Sequence, residues 1–136
     1  MGAAIQHIPD RISNSEVLQI LKSNEIDWKY VNYMKDLTNL KDELLSEWLN
    51  VNVKTFRSYK NEKAKLKENL QEQLILLISL FKQGEEVFGS IANFNAWLVV
   101  DNFYLDDSKP IEYLKTVAGI RYIESRVTAI EYGDNV

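Results

Sequence analysis

The sequence contains no cysteine, one histidine and only two prolines in 136 residues. Without thiols it has neither a disulfide framework nor a thiolate site, which is compatible with the reducing cytoplasm that we expect as its location. The single histidine, His7, leaves too few ligands for a zinc site. Glycine-rich phosphate loops and the common hydrolase motifs are also missing. The sequence therefore predicts a binding protein that is not an enzyme, with no cofactor and no metal.

Long hydrophobic runs are missing as well. The longest, residues 74–81, is interrupted by Ser79 and is far too short to span a bilayer. The chain does not open with a secretory signal pattern, so we expect no membrane partner. A hydrophobic share of 46% with 26% charged residues is typical of a globular protein. The length suits one compact domain or two small helical subdomains that share a core.

Charge is unevenly distributed along the chain. The net charge is -4, yet residues 50–70 carry six Lys and Arg against two Asp and Glu. Residues 71–136 carry five basic and ten acidic side chains. A basic segment within an acidic protein indicates a nucleic-acid-binding face, and it is equally typical of a solvated helix surface.

Apolar residues recur at helical spacing and no convincing strand pattern occurs, so the sequence predicts an all-α fold. Ser13 or Ser15 suits the N-cap of a first short helix, and a second helix follows from about Asp27. Thr38 or Asn39 suits the cap of a third. Together with the next helix, these form the predicted head of the molecule.

Residues 45–60, LSEWLNVNVKTFRSYK, have the form of a helix-turn-helix. An apolar-striped helix is followed by a short turn around Val51, and Asn52 suits the N-cap of a second helix whose outer face is basic. Such a helix can lie in the major groove of DNA. Plain helical hairpins share this pattern, so both interpretations stay open. The candidate DNA-binding residues are Asn52, Lys54, Thr55, Arg57, Ser58 and Lys60.

A long central helix is predicted to join the head to the C-terminal part. Residues 61–67 continue it as a polar stretch, and the part between Leu70 and Phe81 is apolar over most of its circumference. Such a helix must be covered on several sides. Gly84 indicates close approach by another backbone or a break, and Gly89 suits a left-handed helix stop.

The last third is predicted to hold shorter helical segments. Ser90 suits the cap of a helix that ends near residues 101–102, and Pro110 suits the first turn of the next segment. We expect Trp48 and Trp97 to lie in the core. The last helix, which closes at residues 131–133, carries an inward stripe of Ile120, Ile123, Val127 and Ile130.

The order of motifs in this last third resembles a known family. EVFGS is followed by NAWL and, after a short loop, by KPIEYLKTVAGIRYIESRVTAIEYG. A VFG helix end, a WL pair, a proline before a leucine-ended helix, T-x-x-G and a terminal E-Y-G resemble the toxin-binding domain of Xre/MbcA/ParS-type antitoxins. Upstream, EWLNVNVKTFRSYK resembles the Xre-like helix-turn-helix of the same antitoxins. The resemblance covers about Val17 to Gly133 and depends on order and spacing together.

The resemblance implies an antitoxin that inhibits a RES-domain toxin, an enzyme that degrades NAD, and that represses its own operon by binding operator DNA. It implies a helix-turn-helix region at 13–67, after a flexible leader at 1–12, and a toxin-binding domain at 68–136. We also expect a homodimer. By position, the toxin-binding residues are Arg121, Arg126, Ile130, Glu131, Tyr132, Gly133, Asp134, Asn135 and Val136.

Two positions depart from the family pattern. Arg57-Ser58 stands where the recognition helix often has paired arginines, and Asp106-Asp107 stands where a glycine-rich turn is usual. Two other hypotheses stay open. In the first, the chain is a stand-alone transcriptional regulator whose C-terminal part dimerises. In the second, it is a helical adaptor that does not bind DNA.

Overall fold

A computed structural model of the chain describes residues 7–61 and 66–133. The described part is built from helices, and the only β-type pairing within it is an isolated bridge between Asn102 and Ser108, so the predicted all-α fold is confirmed. Two 3-10 turns, Phe103–Leu105 and Pro110–Tyr113, connect the last two α-helices. The α-helices are α1 Asn14–Ser23, α2 Trp28–Thr38, α3 Asp42–Trp48, α4 Val53–Asn61, α5 Glu68–Phe88, α6 Ile91–Leu98 and α7 Val117–Glu131.

Helix α5 is the centre of the fold, as its sequence predicts. Residues 74–81 are buried without a break, which removes the whole circumference of the helix from solvent. This burial is possible because α1, α2, α6 and α7 all pack against α5. The central helix therefore belongs both to the head, α1–α4, and to the C-terminal part that follows it.

A chain of aromatic rings continues the core from the head to the C-terminal part. The ring centroids of Trp48 and Phe81 lie 5.8 Å apart, and those of Phe81 and Phe94 lie 5.0 Å apart at 79°. Trp97 stacks on Phe94 at 6.0 Å. Such pairs add specific geometry to the burial of large apolar areas. Trp48 and Trp97 are both buried, which confirms their predicted place in the core.

Side-chain caps begin most of the helices where the sequence predicts them. The Ser13 hydroxyl accepts a hydrogen bond from the Glu16 amide, and the Glu16 carboxylate accepts one from Ser13, which makes a reciprocal capping box. The Asp27 carboxylate caps α2 by accepting from the Lys29 amide, and the Ser90 hydroxyl caps α6 by accepting from the Asn93 amide. Gly89 ends α5 in the left-handed conformation with φ 90°.

Three predicted boundaries differ in the structure. Helix α3 begins at Asp42, because Thr38 still belongs to α2 and Asn39 ends that helix in the left-handed conformation with φ 55°. The predicted helical continuation over 61–67 is interrupted, since Lys67 is extended and precedes α5. Residues 62–65 of that stretch lie outside the described residues.

The third boundary is the end of α6, which stops at Leu98 and does not reach residues 101–102. The Asn102 amide donates instead to the Ser108 carbonyl at 3.0 Å, and the Asn102 side chain accepts from the Tyr104 amide at 2.9 Å. These bonds close a compact loop around the first 3-10 turn, so the backbone groups of the loop have partners outside a helix.

Gly84 lies inside α5 for a reason that differs from both predicted ones. A Cβ atom at this position would lie 2.4 Å from the ring of Phe94. The helix continues without a break, and the group that approaches is an aromatic side chain and not a backbone. The glycine therefore makes room for the aromatic core between α5 and α6.

Residues 7–12, part of the predicted flexible leader, are docked against α5. Ile8 and Ile12 are buried in the common core. The Ile12 amide donates to the Ser79 hydroxyl at 3.0 Å, and the Lys82 ammonium donates to the Ile8 carbonyl at 2.7 Å. Residues 1–6 lie outside the described residues.

Candidate functional site

Helices α3 and α4, joined by a short turn, occupy the region that the sequence predicts as a helix-turn-helix. Asn50 turns the chain in the left-handed conformation with φ 58°, and the Asn52 carboxamide oxygen accepts a hydrogen bond from the Thr55 amide at 2.8 Å, capping α4. Phe56 and Tyr59 hold the inner face of α4 in the core, while Val51 in the turn is only partly buried. The outer face of α4 is therefore fixed in orientation.

The outer face of α4 carries cations that are already paired within the molecule. Oδ1 of Asp42 lies 2.8 Å from the Lys60 ammonium and 3.3 Å from the Lys35 ammonium. Oδ2 of Asp42 lies 3.1 Å from Nε of Arg57. The hydrogen bond from Lys60, together with those from Arg57 and Lys35, lowers the pKa of Asp42 to about 2, against the effect of burial. One carboxylate in the first turn of α3 thus offsets two of the predicted DNA-binding side chains.

The other predicted DNA-binding residues have different surroundings. Lys54 is exposed, and Thr55 is partly buried beside it. Asn52 is occupied as the helix cap, and the Ser58 hydroxyl donates to the Thr55 carbonyl at 2.6 Å. All six candidates lie on or next to α4, so the structure does bring them together on one element.

Helix α7 is seated by a very close backbone contact. Thr116 caps it, with its hydroxyl accepting from the Gly119 amide at 2.9 Å. A Cβ atom on Gly119 would lie 1.8 Å from the Tyr113 carbonyl oxygen, so only glycine fits. The predicted inward stripe is confirmed for Ile120, Ile123 and Val127, which are buried, and Ile130 packs on the core while partly exposed. In the T-x-x-G motif, the threonine therefore caps α7 and the glycine lets the start of α7 pack against the Tyr113 carbonyl.

Arg121, a predicted toxin-binding residue, binds the N-terminal segment in this structure. Its guanidinium donates to the Ile12 carbonyl at 2.6 Å and to the Asn14 side chain at 2.6 Å. It also pairs with Glu124 at 2.9 Å. The geometry shows Arg121 as a connection between the two ends of the chain.

Glu131, another predicted toxin-binding residue, makes a second connection of the same kind. Its carboxylate accepts two hydrogen bonds from the Arg11 guanidinium, at 2.5 and 3.2 Å. Arg11 also pairs with Asp10 at 2.7 Å and has Glu86 at 3.6 Å. The hydrogen bond to Glu131, together with Asp10 and against the effect of burial, raises the pKa of Arg11, so the cation is permanent. The N-terminal segment therefore holds α7 near both of its ends.

The end of α7 projects beyond these contacts. Tyr132 is 83% exposed, and Gly133, at φ 103°, has open space around it. Upstream, the Arg126 guanidinium lies over the ring of Tyr104 at 4.5 Å from its centroid. The predicted toxin-binding residues Asp134, Asn135 and Val136 lie outside the described residues.

Sequence reasoning missed an apolar surface on the C-terminal part. Seven of the eight exposed large hydrophobic residues found in the described ranges lie after residue 98. Adjacent apolar residues that do not follow a helical period, such as Val99-Val100 and Phe103-Tyr104, are the signal that marks this surface. The seven are Val99, Val100, Phe103, Tyr104, Val117, Tyr122 and Tyr132.

The Asp106-Asp107 turn keeps the backbone of a glycine turn. Asp106 has φ 53° and Asp107 has φ 63°. Aspartate tolerates this left-handed region better than most residues, although it has a Cβ. The family departure at these positions changes the side chains and leaves a left-handed turn.

In the described residues, no group of three His, Cys, Asp or Glu side chains is arranged to hold a metal ion. The helices of that same part are too short or too polar to cross a membrane.

The bundle thus combines the α3–α4 pair with a tightly seated terminal helix, and the end of α3 lies beside the start of α7, where the Lys115 ammonium is 2.8 Å from the Glu47 carboxylate. Residues 83–133 match the family model of the antitoxin Xre/MbcA/ParS C-terminal toxin-binding domain. This part of the chain is therefore similar to that toxin-binding domain, and the resemblance to Xre/MbcA-type antitoxins is confirmed.

The fold is similar to that of a chain in the crystal structure of the M. tuberculosis MbcT-MbcA toxin-antitoxin complex. The TM-score is 0.65 at 16% identity, over 80% of this chain and 96% of that chain. At this identity the likeness shows the fold alone. No curated protein matches the sequence.

Proposed function

We propose that the chain is an antitoxin that binds and inhibits a RES-domain toxin, which degrades NAD, and that it represses its own operon by binding DNA. The observation that carries the toxin-binding part is the match of residues 83–133 to the family of toxin-binding domains. In this proposal the chain acts by binding and has no catalytic role. It works in the cytoplasm as a homodimer.

The end of α7 has the physical properties that an inhibitory element needs. Arg11 and Arg121 hold the helix against the N-terminal segment, while Tyr132 beyond it is exposed. A side chain presented by a rigid helix loses little conformational entropy when it enters a pocket. Tyrosine supplies a large amphipathic contact area and is frequent among the residues that dominate binding energies.

The toxin-binding proposal is tested with Tyr132→Ala, assayed as inhibition of NAD consumption by the RES-domain protein of the same operon. We expect the inhibition constant to rise by about thirtyfold, which corresponds to the loss of a dominant interface residue. Gln19→Ala is the control, since Gln19 is also exposed and lies on α1 beside Glu16 and Ser23 of the head. Equal inhibition by both variants contradicts the role of Tyr132.

DNA binding is proposed for α4, on the basis of its fixed orientation and its cations. Lys54, Arg57 and Lys60 would contact phosphates, and each such contact releases counterions. The triple change of these residues to Ala is expected to abolish retention of the promoter DNA in a gel shift. The sharper variant is Asp42→Asn, which removes the carboxylate that holds Arg57 and Lys60. It should raise DNA affinity several-fold, and unchanged affinity of both variants contradicts the assignment of α4.

The alternative is a stand-alone regulator whose C-terminal part dimerises, and the exposed apolar residues after residue 98 are compatible with it. Co-expression with the RES-domain protein separates the two functions. Formation of a complex and rescue of growth support the antitoxin, whereas a homodimer that does not bind the toxin supports the regulator.

A further inference from the structure

We propose that the toxin-binding surface includes a second area, separate from the chain end, and that an apolar patch of the toxin docks on it. This inference rests on the proposed antitoxin function. The area is formed by Phe103, Tyr104, Tyr122 and Arg126, and we call it the aromatic face. Val100, three residues before Phe103, extends it along the loop after α6.

The exposure of the aromatic face is unusual for this molecule. Phe103 is 80% exposed and Val100 is 60% exposed, whereas Phe94 and Trp97 of the same domain are buried. Single exposed hydrophobic residues are ordinary on protein surfaces, but contiguous patches mark interaction sites. In the described part of the head, Leu18 on α1 is the one large hydrophobic residue with such exposure, and it lines a groove with Val117 of α7.

Ring contacts show that these residues form one surface. Phe103 meets Tyr104 edge to face at 5.5 Å between centroids, and Tyr104 lies under the Arg126 guanidinium at 4.5 Å. Tyr122 precedes Arg126 by four residues on α7, so both side chains lie on the same side of the helix. The aromatic face therefore crosses from the loop to α7.

The aromatic face is also close to the proposed inhibitory end. Tyr132 follows Arg126 by six residues, which is roughly 9 Å along a helix axis. Six residues also turn the helix by about 240°, so Tyr132 and the aromatic face lie on different sides of α7. A toxin that receives the end of α7 in its active-site cleft has the aromatic face within reach of the rim of the same cleft. Tyr, Phe and Arg are the residues that are enriched in the centres of such interfaces.

Charge around the aromatic face favours the toxin over a second copy of this chain. Asp106 and Asp107 are exposed in the turn that follows Tyr104, and the nearby Lys109 is paired with Asp101 at 2.9 Å. Two copies that met through this surface would bring two acidic rims together, and like charges across an interface oppose association. The expected partner surface has an apolar centre and a basic rim.

The experiment measures the affinity of the full-length chain for the RES-domain protein of the same operon by calorimetry. Phe103→Ser and Val100→Ser remove exposed apolar side chains, so the fold is retained, which a thermal melt checks. We expect Phe103→Ser to weaken binding about thirtyfold and Val100→Ser about fivefold. The control, Gln19→Ser, changes an exposed side chain on α1 that lies among head residues only, and it should change the affinity less than twofold.

The acidic rim is tested separately with Asp106→Asn/Asp107→Asn. Asparagine also tolerates the left-handed conformation, so the variant removes charge without changing the backbone. Toxin association should slow by about tenfold at low salt and be nearly unchanged at high salt, because exposed charges act mainly through screened steering. Equal rates for the wild type and the variant at low salt would overturn the basic-rim assignment.

The outcomes separate the two proposals. If the wild type does not bind the RES-domain protein, the proposed function is wrong and the aromatic face has no such partner. If the wild type binds and Phe103→Ser binds equally well, the aromatic face is not part of the interface, although the antitoxin function stands. If Phe103→Ser changes the antitoxin's own sedimentation and leaves the toxin affinity unchanged, a second copy covers the face and the inference is overturned.

Discussion

The head and the C-terminal part of this molecule expose opposite kinds of surface. On the head, the exposed groups are mainly charged, with seven Lys and Arg against seven Asp and Glu in residues 14–61, and Asp42 pairs with three of the cations. On the C-terminal part, exposed groups include many large apolar side chains with acidic residues beside them. One fold thus carries a surface suited to electrostatic, salt-dependent binding and another suited to shape-dependent binding. The predictions below test whether these surfaces can be changed independently.

The largest effect is expected at the contact that seats the C-terminal helix. In Gly119→Ala, the new methyl group would lie 1.8 Å from the Tyr113 carbonyl oxygen. A backbone atom cannot move aside as a flexible side chain can, so we expect a loss of about 3 kcal/mol in the free energy of unfolding. Urea denaturation measures it. Ala118→Ser, one position earlier and exposed, is the control, and a similar loss in both variants contradicts the close contact.

Local features of both regions were predictable from the sequence. The caps at Ser13, Asp27 and Ser90 and the stop at Gly89 depend on residues within one helical turn. The central position of α5 also followed, because a helix that is apolar all round has to be covered on every side. Such predictions need no knowledge of which segments meet in space.

The partners of the functional side chains were not predictable in the same way. Arg121 was expected at the toxin interface, yet it donates to Ile12, which is 109 positions away in the chain. Arg57 was expected to face DNA, yet it donates a hydrogen bond to Asp42, which is 15 positions upstream. No short-range pattern specifies these pairs, since they depend on how helices pack. For the same reason the docking of Ile8 and Ile12 was missed.

The contact between the N-terminal segment and α7 gives the second prediction. Arg11→Gln removes the positive charge of the group that donates both hydrogen bonds to Glu131. Because the group is partly exposed and screened, the stability loss should be only about 1 kcal/mol. Hydrogen exchange at residues 126–131 should rise, while the amides of α4 stay protected. Increased exchange in both regions would show that the contact supports the whole fold and does not act only on α7.

The head gives a pH-dependent prediction. The folded-state pKa of Asp42 is lowered to about 2 from its ordinary value of 3.8, so its pairs stabilise the protein above about pH 4. This contribution is lost as the pH falls towards 2, where the carboxylate is protonated. Asp42→Asn lacks it at every pH. The stability difference between the wild type and the variant, about 1 kcal/mol at neutral pH for a partly screened network, should shrink below pH 4. A constant difference in acid titrations contradicts the pairing.

The smallest effect is expected at the acidic turn of the C-terminal part. Asp107 has φ 63°, a conformation that costs a residue with a Cβ about 1 kcal/mol. Glycine removes this strain but gains freedom in the unfolded chain, so Asp107→Gly should stabilise the protein by only about 0.5 kcal/mol. Thermal melts of Asp107→Gly and Asp107→Ala measure the difference, because alanine keeps the strain and also loses the charge. If alanine stabilises as much as glycine, charge repulsion among the neighbouring carboxylates, and not backbone strain, limits the stability of this turn.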